Sequence, residues 1–158
     1  MRYWLMKTEP DVFSFDDLLK TKGKTTAWEG VRNYQARNFM RNDMKAGDKV
    51  FIYHSGTDEP HIAGLAEIVG EGYPDKTALD SKSKYFDEAS KKNGESRWTM
   101  VDVRATHRLK APFTIKDARA TAGLEKMLLI QKGQRLSIQP VTESEWKVII
   151  KKAGTIEI

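Results

Sequence analysis

Ser14-x-x-Asp17, Thr114-x-x-Asp117 and Thr142-x-x-Glu145 are one signature written three times. In each, a hydroxyl is placed to accept from the backbone N–H three residues on. The acid is placed to accept from the hydroxyl residue's own N–H. Such a box starts a helix and fixes where it starts. Only short apolar sets follow: Leu18 and Leu19, then residues 115–121, then Trp146, Ile149 and Ile150. Brief helices are expected at all three. Elsewhere the apolar residues alternate with polar ones, as strands require. Strands are predicted over 2–7, 49–55, 61–72, 97–109 and 135–141, the last closed by Pro140. Gly64 and Gly70 are positions for bulges or bends. In 97–109 the alternation puts Trp98, Met100 and Asp102 on one face and Val101, Val103 and Ala105 on the other. A further helix is predicted from an Asn33 N-cap through YQARNFMRNDM, while 123–132 reads as a short helical or extended piece. Residues 73–95 form a long polar excursion with Tyr85 and Phe86 as its only apolar anchor. There is no regular βαβ rhythm. The fold class expected is α+β, a curved, mixed or mostly antiparallel sheet closing toward a barrel, in a single domain over 1–158.

Composition narrows the chemistry. The 158 residues contain no cysteine, so disulfides and thiolate chemistry are excluded. The three histidines, His54, His61 and His107, stand at no ligand spacing, and no metal site or cofactor is expected. No apolar run approaches the roughly 18 residues of a membrane span. The start MRYWLMKTEP meets charge too early for a secretory signal, so an intracellular location is expected. The net charge of +5 is unevenly placed. Residues 1–81 carry 11 Lys and Arg against 13 Asp and Glu, whereas residues 82–135 carry 13 against 6. A polyanionic partner suits that asymmetry, and so does a plain solvated lysine-rich surface.

Catalytic patterns are sparse. Neither a dinucleotide nor a P-loop glycine motif occurs. His54 and Ser55 are neighbours on a strand and so point to opposite faces, and no G-x-S-x-G elbow is present. Glu9, Glu29, Glu67 and Asp102 have no spacing that pairs them; Glu29 beside Arg32 reads as an ion pair holding a loop. The sharpest signal is WEGVRNYQARN at 28–38. Base recognition requires a flat apolar wall, amides or hydroxyls for the base edge, and cations for phosphates. Tyr3, Trp4, Trp28, Tyr34, Tyr53 and Trp98 are candidate walls, although Trp4, Tyr53 and Trp146 sit on patterned elements and fit a core equally well. Asn33, Gln35, Asn38 and Ser55 are candidate edge contacts, and Arg32, Arg37 and Arg135 candidate phosphate contacts.

WLMKTEP (4–10), WEGVRNYQARNFM (28–40), GDKVFIYHS (47–55), GLAEIV (64–69), RWTMVDV (97–103) and RLSIQPVTESEW (135–146) together resemble the EVE domain. This small family is related to PUA and ASCH domains and, more distantly, to the YTH domain, and it includes the thymocyte nuclear protein group. The resemblance spans nearly the whole chain. It implies a PUA-like fold with short flanking helices, no metal, and no enzymatic activity. It also implies a pocket for a modified nucleobase, with DNA ahead of RNA and a modified cytosine as the base. Carried onto this sequence, Trp28, Val31, Arg32, Asn33 and Tyr34 line one side, Tyr53 and Ser55 the strand end, Trp98 the long strand, and Arg135, Leu136 and Ser137 the late strand. Glu29, Arg37 and Asn38 support the pocket, the last two either as contacts or as a brace. Lys7 and Glu9 match the family pattern without a derived role. A monomer, cytoplasmic or (in a eukaryote) nuclear, is the accompanying expectation. Two alternatives stand beside it: an enzyme acting on a nucleic acid or nucleotide through Glu29, Lys7 and Asp102, and a small-metabolite-binding regulatory domain.

Overall fold

A computed structural model describes residues 1–158. In chain order it has β1 (Tyr3–Thr8), α1 (Phe15–Lys20), β2 (Thr25–Ala27), α2 (Tyr34–Asn38), β3 (Lys49–His54), β4 (His61–Ile68) and β5 (Tyr73–Pro74). Then come α3 (Glu88–Asn93), β6 (Thr99–Met100), β7 (Asp102–Thr114), α4 (Ile115–Ala120), β8 (Ile138–Val141), α5 (Glu143–Ala153) and β9 (Thr155–Glu157). All three capping boxes are closed in both directions, at the starts of α1, α4 and α5. Asn33 caps α2 by accepting from the Ala36 N–H at 3.0 Å. The helix predicted there runs over 34–43, but its second half, Phe39–Asp43, widens into a π turn that ends as the Met44 N–H donates to the Phe39 carbonyl.

Six strands run in the order β2-β7-β4-β3-β1-β8, and β9 pairs with β7 beyond β2. The β1–β3 pair is parallel and every other pair antiparallel, so the sheet is mixed as well as curled. Curvature is built into β4: its register shifts against β3 after Ile52 and against β7 on either side of Gly64. Gly64 is required there, since a Cβ would overlap the Phe15 ring laid across the sheet. The other expected bend, at Gly70, falls after β4 has ended. The long strand is displaced from its predicted span. Residues 99–100 pair with β5 in a separate small sheet, and β7 continues through Pro112 to Thr114, where α4 begins.

Both faces of the sheet are covered. Trp4, Met6, Val50, Ile52, Val101, Val103 and Ala105 pack inward with Phe15, Leu18, Ala36 and Met40 from the α1 and α2 side. Leu5, Phe51, Tyr53 and Leu109 pack on the opposite face with Ala118, Trp146 and Ile149 from α4 and α5. Trp146 stacks on Phe51 at 4.0 Å between centroids. The period-two alternation of β1 and β3 thus feeds two apolar layers. The sheet does not close. Thr26 and Ala27 of β2 face Lys7 and Thr8 of β1, with Ser137 leading into β8, across a cavity at the seam.

Candidate nucleic-acid interface

The seam cavity has a volume of about 590 Å³, within the range of small-ligand sites. Its apolar wall is Phe13, Trp28 and Val31, and Trp28 meets Phe13 edge to face at 6.3 Å. Trp28 is 8% exposed and belongs to the inner core. Its backbone N–H is fixed to the Val101 carbonyl at 2.7 Å, which continues the β2–β7 ladder by one residue. Its indole N–H, in contrast, makes no bond within the chain, whereas those of Trp4 and Trp98 are engaged by Asp48 and Asp87.

The outer wall comes from the polar excursion. Gly30 stands at φ +85°, a conformation that favours glycine, and a Cβ there would lie 2.5 Å from the Tyr85 ring. Tyr85 therefore closes directly onto the Gly30 backbone. Arg32 holds this arrangement together. Its guanidinium donates five hydrogen bonds: two to the Tyr85 carbonyl at 3.1 and 2.7 Å, one to Val31 O at 3.0 Å, one to Asp75 at 2.9 Å and one to the Thr77 hydroxyl at 3.2 Å. A guanidinium has five N–H donors, so none is left for a phosphate. Asp75 has no exposed side-chain surface. Burial alone would raise its pKa, but bonds from Thr77, the Gly30 N–H and Arg32 outweigh that and hold the carboxyl below the usual carboxylate range.

Other lining groups are free. Lys7, Glu9, Thr26, Glu29, Lys84 and Ser137 line the cavity, and none of their side chains is hydrogen-bonded or ion-paired within the chain. Burial pulls the Lys7 ammonium below its ordinary pKa, and its Nζ lies 5.9 Å from the Tyr53 ring.

Of the residues singled out from sequence, the structure brings Trp28, Glu29, Val31, Arg32 and Ser137 to this cavity. The others are placed elsewhere. Asn33 is occupied as the α2 cap. Tyr34 is 50% exposed and stacks on Trp98 at 4.9 Å, outside the cavity. Tyr53 belongs to the opposite core layer, as its place on a patterned strand allowed. Ser55 pairs its backbone N–H with Thr8 O, and Arg135 and Leu136 lie in the irregular segment before β8. Arg37 donates to the Asn38 side chain at 3.2 and 2.9 Å and to the Arg97 carbonyl at 3.0 Å, which uses three of its five donors. Arg32 takes Asp75 as its carboxylate, not Glu29, because the excursion delivers a buried acid to the guanidinium while Glu29 faces solvent. Asp102 accepts from the Tyr73 hydroxyl at 2.5 Å and does not line the cavity. Of the three residues of the enzymatic alternative, Glu29 and Lys7 line the cavity and Asp102 does not. Sequence reasoning missed Val12, Phe13, Lys84, Tyr85 and Asp75. The YF anchor at 85–86 was the available signal for Tyr85.

The chain is similar to proteins of known family. The EVE domain model matches residues 2–152. The chain belongs to the EVE domain family. Human thymocyte nuclear protein 1 is 40% identical over 94% of this chain and 72% of its own length. Among solved structures, PSPTO5229 from Pseudomonas syringae has a TM-score of 0.88 at 44% identity, covering 95% of this chain and 98% of that one. The human THYN1 protein in complex with 5-methylcytosine-containing DNA has a TM-score of 0.89 at 39% identity, covering 96% and 97%. An ASCH protein of Zymomonas mobilis shares the fold at a TM-score of 0.55 with 7% identity. The EVE chain described here is thus PUA-like in architecture: an open, curled mixed sheet with short helices. None of its helices is long and apolar enough to cross a membrane.

Proposed function

We propose that this EVE domain, acting over residues 1–158 as one non-catalytic unit, reads a modified base of DNA, a modified cytosine, in the seam cavity. The carrying observation is the division of labour in the cavity wall. Arg32 and Asp75 spend their polar groups on the wall itself, while the Trp28 indole N–H, Lys7, Glu9, Glu29 and Ser137 keep theirs free. Carboxylates accept from the cytosine N4 amine, and ammonium or hydroxyl groups donate to its carbonyl. The aromatic and aliphatic wall of Phe13, Trp28 and Val31 takes the flat face and a C5 substituent. A base leaving a duplex gives up a few kcal/mol of stacking and pairing. An aromatic contact returns about 1–3 kcal/mol of that. The THYN1 relative's complex with 5-methylcytosine-containing DNA supports the same class of ligand. Action as a monomer accompanies this reading. An intracellular location, nuclear in a eukaryotic source, accompanies this reading.

The test is a panel of duplexes that differ only in one cytosine: unmodified, 5-methyl or 5-hydroxymethyl. Tighter binding to a modified duplex, competed by the free modified nucleoside, is the expected outcome. Equal binding across the panel rejects base reading. Competition by an unrelated metabolite, without DNA binding, would favour a metabolite-binding regulatory domain instead.

A further inference from the structure

Beside the seam cavity lies a second cluster. Trp98 is buried by Tyr34 on one face, and its indole N–H donates to Asp87 at 2.9 Å. Arg97 grips Asp87 with two bonds of 2.7 and 3.0 Å and donates a third to the Tyr34 hydroxyl at 2.6 Å. Arg37 sits 4.7 Å from the Tyr34 ring centroid, and both Arg37 and Arg41 reach the Arg97 carbonyl, at 3.0 and 3.4 Å. Three guanidiniums therefore converge while only one carboxylate, Asp87, bonds to any of them. Arg37 uses three of its five donors and Arg41 one, and neither has an ionic partner within the chain. Burial first, then the charges of Arg41 and Arg97, depress the Arg37 pKa. An uncompensated cluster of this kind is relieved by an anion. Its neighbour is the cavity: Arg32, whose stem lines the seam, lies 5.5 Å from the Trp98 ring centroid.

We propose that Arg37 and Arg41, presented by the α2 helix and its π turn on the Tyr34–Trp98 stack, bind a phosphodiester of the DNA strand next to the base held in the cavity. Guanidinium forks match phosphate oxygens in pairs, and two donors of Arg37 and four of Arg41 make no bond within the chain. The inference rests on the seam cavity being a base site, because that fixes the strand's path. It adds that affinity and base preference reside in different residues. Arg97 holds the platform and is not offered to the phosphate, since its charge is satisfied by Asp87.

Arg41 is exposed and has only one long internal bond, so Arg41→Gln and Arg41→Glu leave the fold undisturbed. Binding of both to modified and unmodified duplexes is measured between 50 and 200 mM salt. Loss of one phosphate contact lowers the slope of log affinity against log salt by about 0.9. Arg41→Gln is expected to show that reduction on both duplexes alike, with the preference ratio unchanged, and Arg41→Glu a larger one. Lys152→Gln, on the exposed side of α5, is expected to keep the wild-type slope. Wild-type slopes in both Arg41 variants would overturn the phosphate site and leave base reading standing. A reduced slope without any preference in the wild type would do the reverse. Failure of the wild type to bind either duplex at 50 mM salt overturns both.

Discussion

Replacing Arg32 by alanine removes five hydrogen bonds at once and leaves the Asp75 carboxylate, which has no exposed surface, without its cation. Breaking a buried ion pair by deleting one partner costs about 3–5 kcal/mol. Arg32 is 23% exposed, and Asp75 keeps the Gly30 and Thr77 bonds, which places the loss near the lower end, about 3 kcal/mol. For a domain of this size that corresponds to a fall in Tm of about 6–12 °C. Arg32→Lys retains a charge for Asp75 but has no fork for the Tyr85 carbonyl, and a smaller loss of about 1–2 kcal/mol is expected. The assay is urea unfolding followed by tryptophan fluorescence. The pH dependence supplies a second reading. The folded Asp75 pKa is depressed, so its contribution is present above the ordinary carboxylate pKa of about 3.9 and is lost as pH falls through the folded value. In Arg32→Ala that acid-side loss is expected to be smaller. A cost below about 1 kcal/mol for Arg32→Ala would refute the claim that this side chain clamps the cavity wall.

Gly30→Ala places a Cβ 2.5 Å from the Tyr85 ring at a φ of +85°, and a loss of about 2–3 kcal/mol is expected by urea unfolding, partly recovered in the double variant with Tyr85→Ala. His54 accepts from the Phe15 N–H at 3.0 Å, and burial, then the neighbouring His61, depress its pKa below 6.5. The unfolded chain takes up that proton first, so stability should decline as pH falls below about 6.5 and level off below the folded pKa; His54→Gln should flatten this limb in a pH series of melts. Thr142→Ala opens the α5 capping box and should cost about 1 kcal/mol without altering DNA preference.

The helix starts and the alternation of the strands were legible because each rests on local chemistry. A hydroxyl and an acid three residues apart determine a cap, and alternation in β1 and β3 determines which face each residue serves. Trp28 was legible for the same reason: an apolar residue in a polar loop next to a glycine has few places to go, whereas Val31 came only through the family resemblance. The wall opposite them was not. Asp75 and Tyr85 lie 43 and 53 positions from Arg32 and meet it only after folding. Their segment has little periodicity to announce that meeting. Tyr34 misled because exposed stacking on Trp98 and pocket lining ask for the same residue type; only the direction of the α2 start separates them. Placement in the inner core also makes Trp28 a poor position for truncation. Truncation of a buried Trp to alanine costs about 3–5 kcal/mol, so Trp28→Ala would not leave the fold intact, and a milder probe is needed.

The four indole N–H resonances provide that probe in the unaltered protein. They are followed by NMR as a duplex containing one 5-methylcytosine is added. A base entering the seam cavity should shift the free Trp28 indole N–H most strongly and saturably. Those of Trp4, bonded to Asp48, and of Trp146, on the far side of the sheet, should stay fixed. The unmodified duplex should move Trp28 less at equal occupancy. Saturating DNA binding that leaves the Trp28 resonance in place would contradict the seam cavity as the site of base recognition.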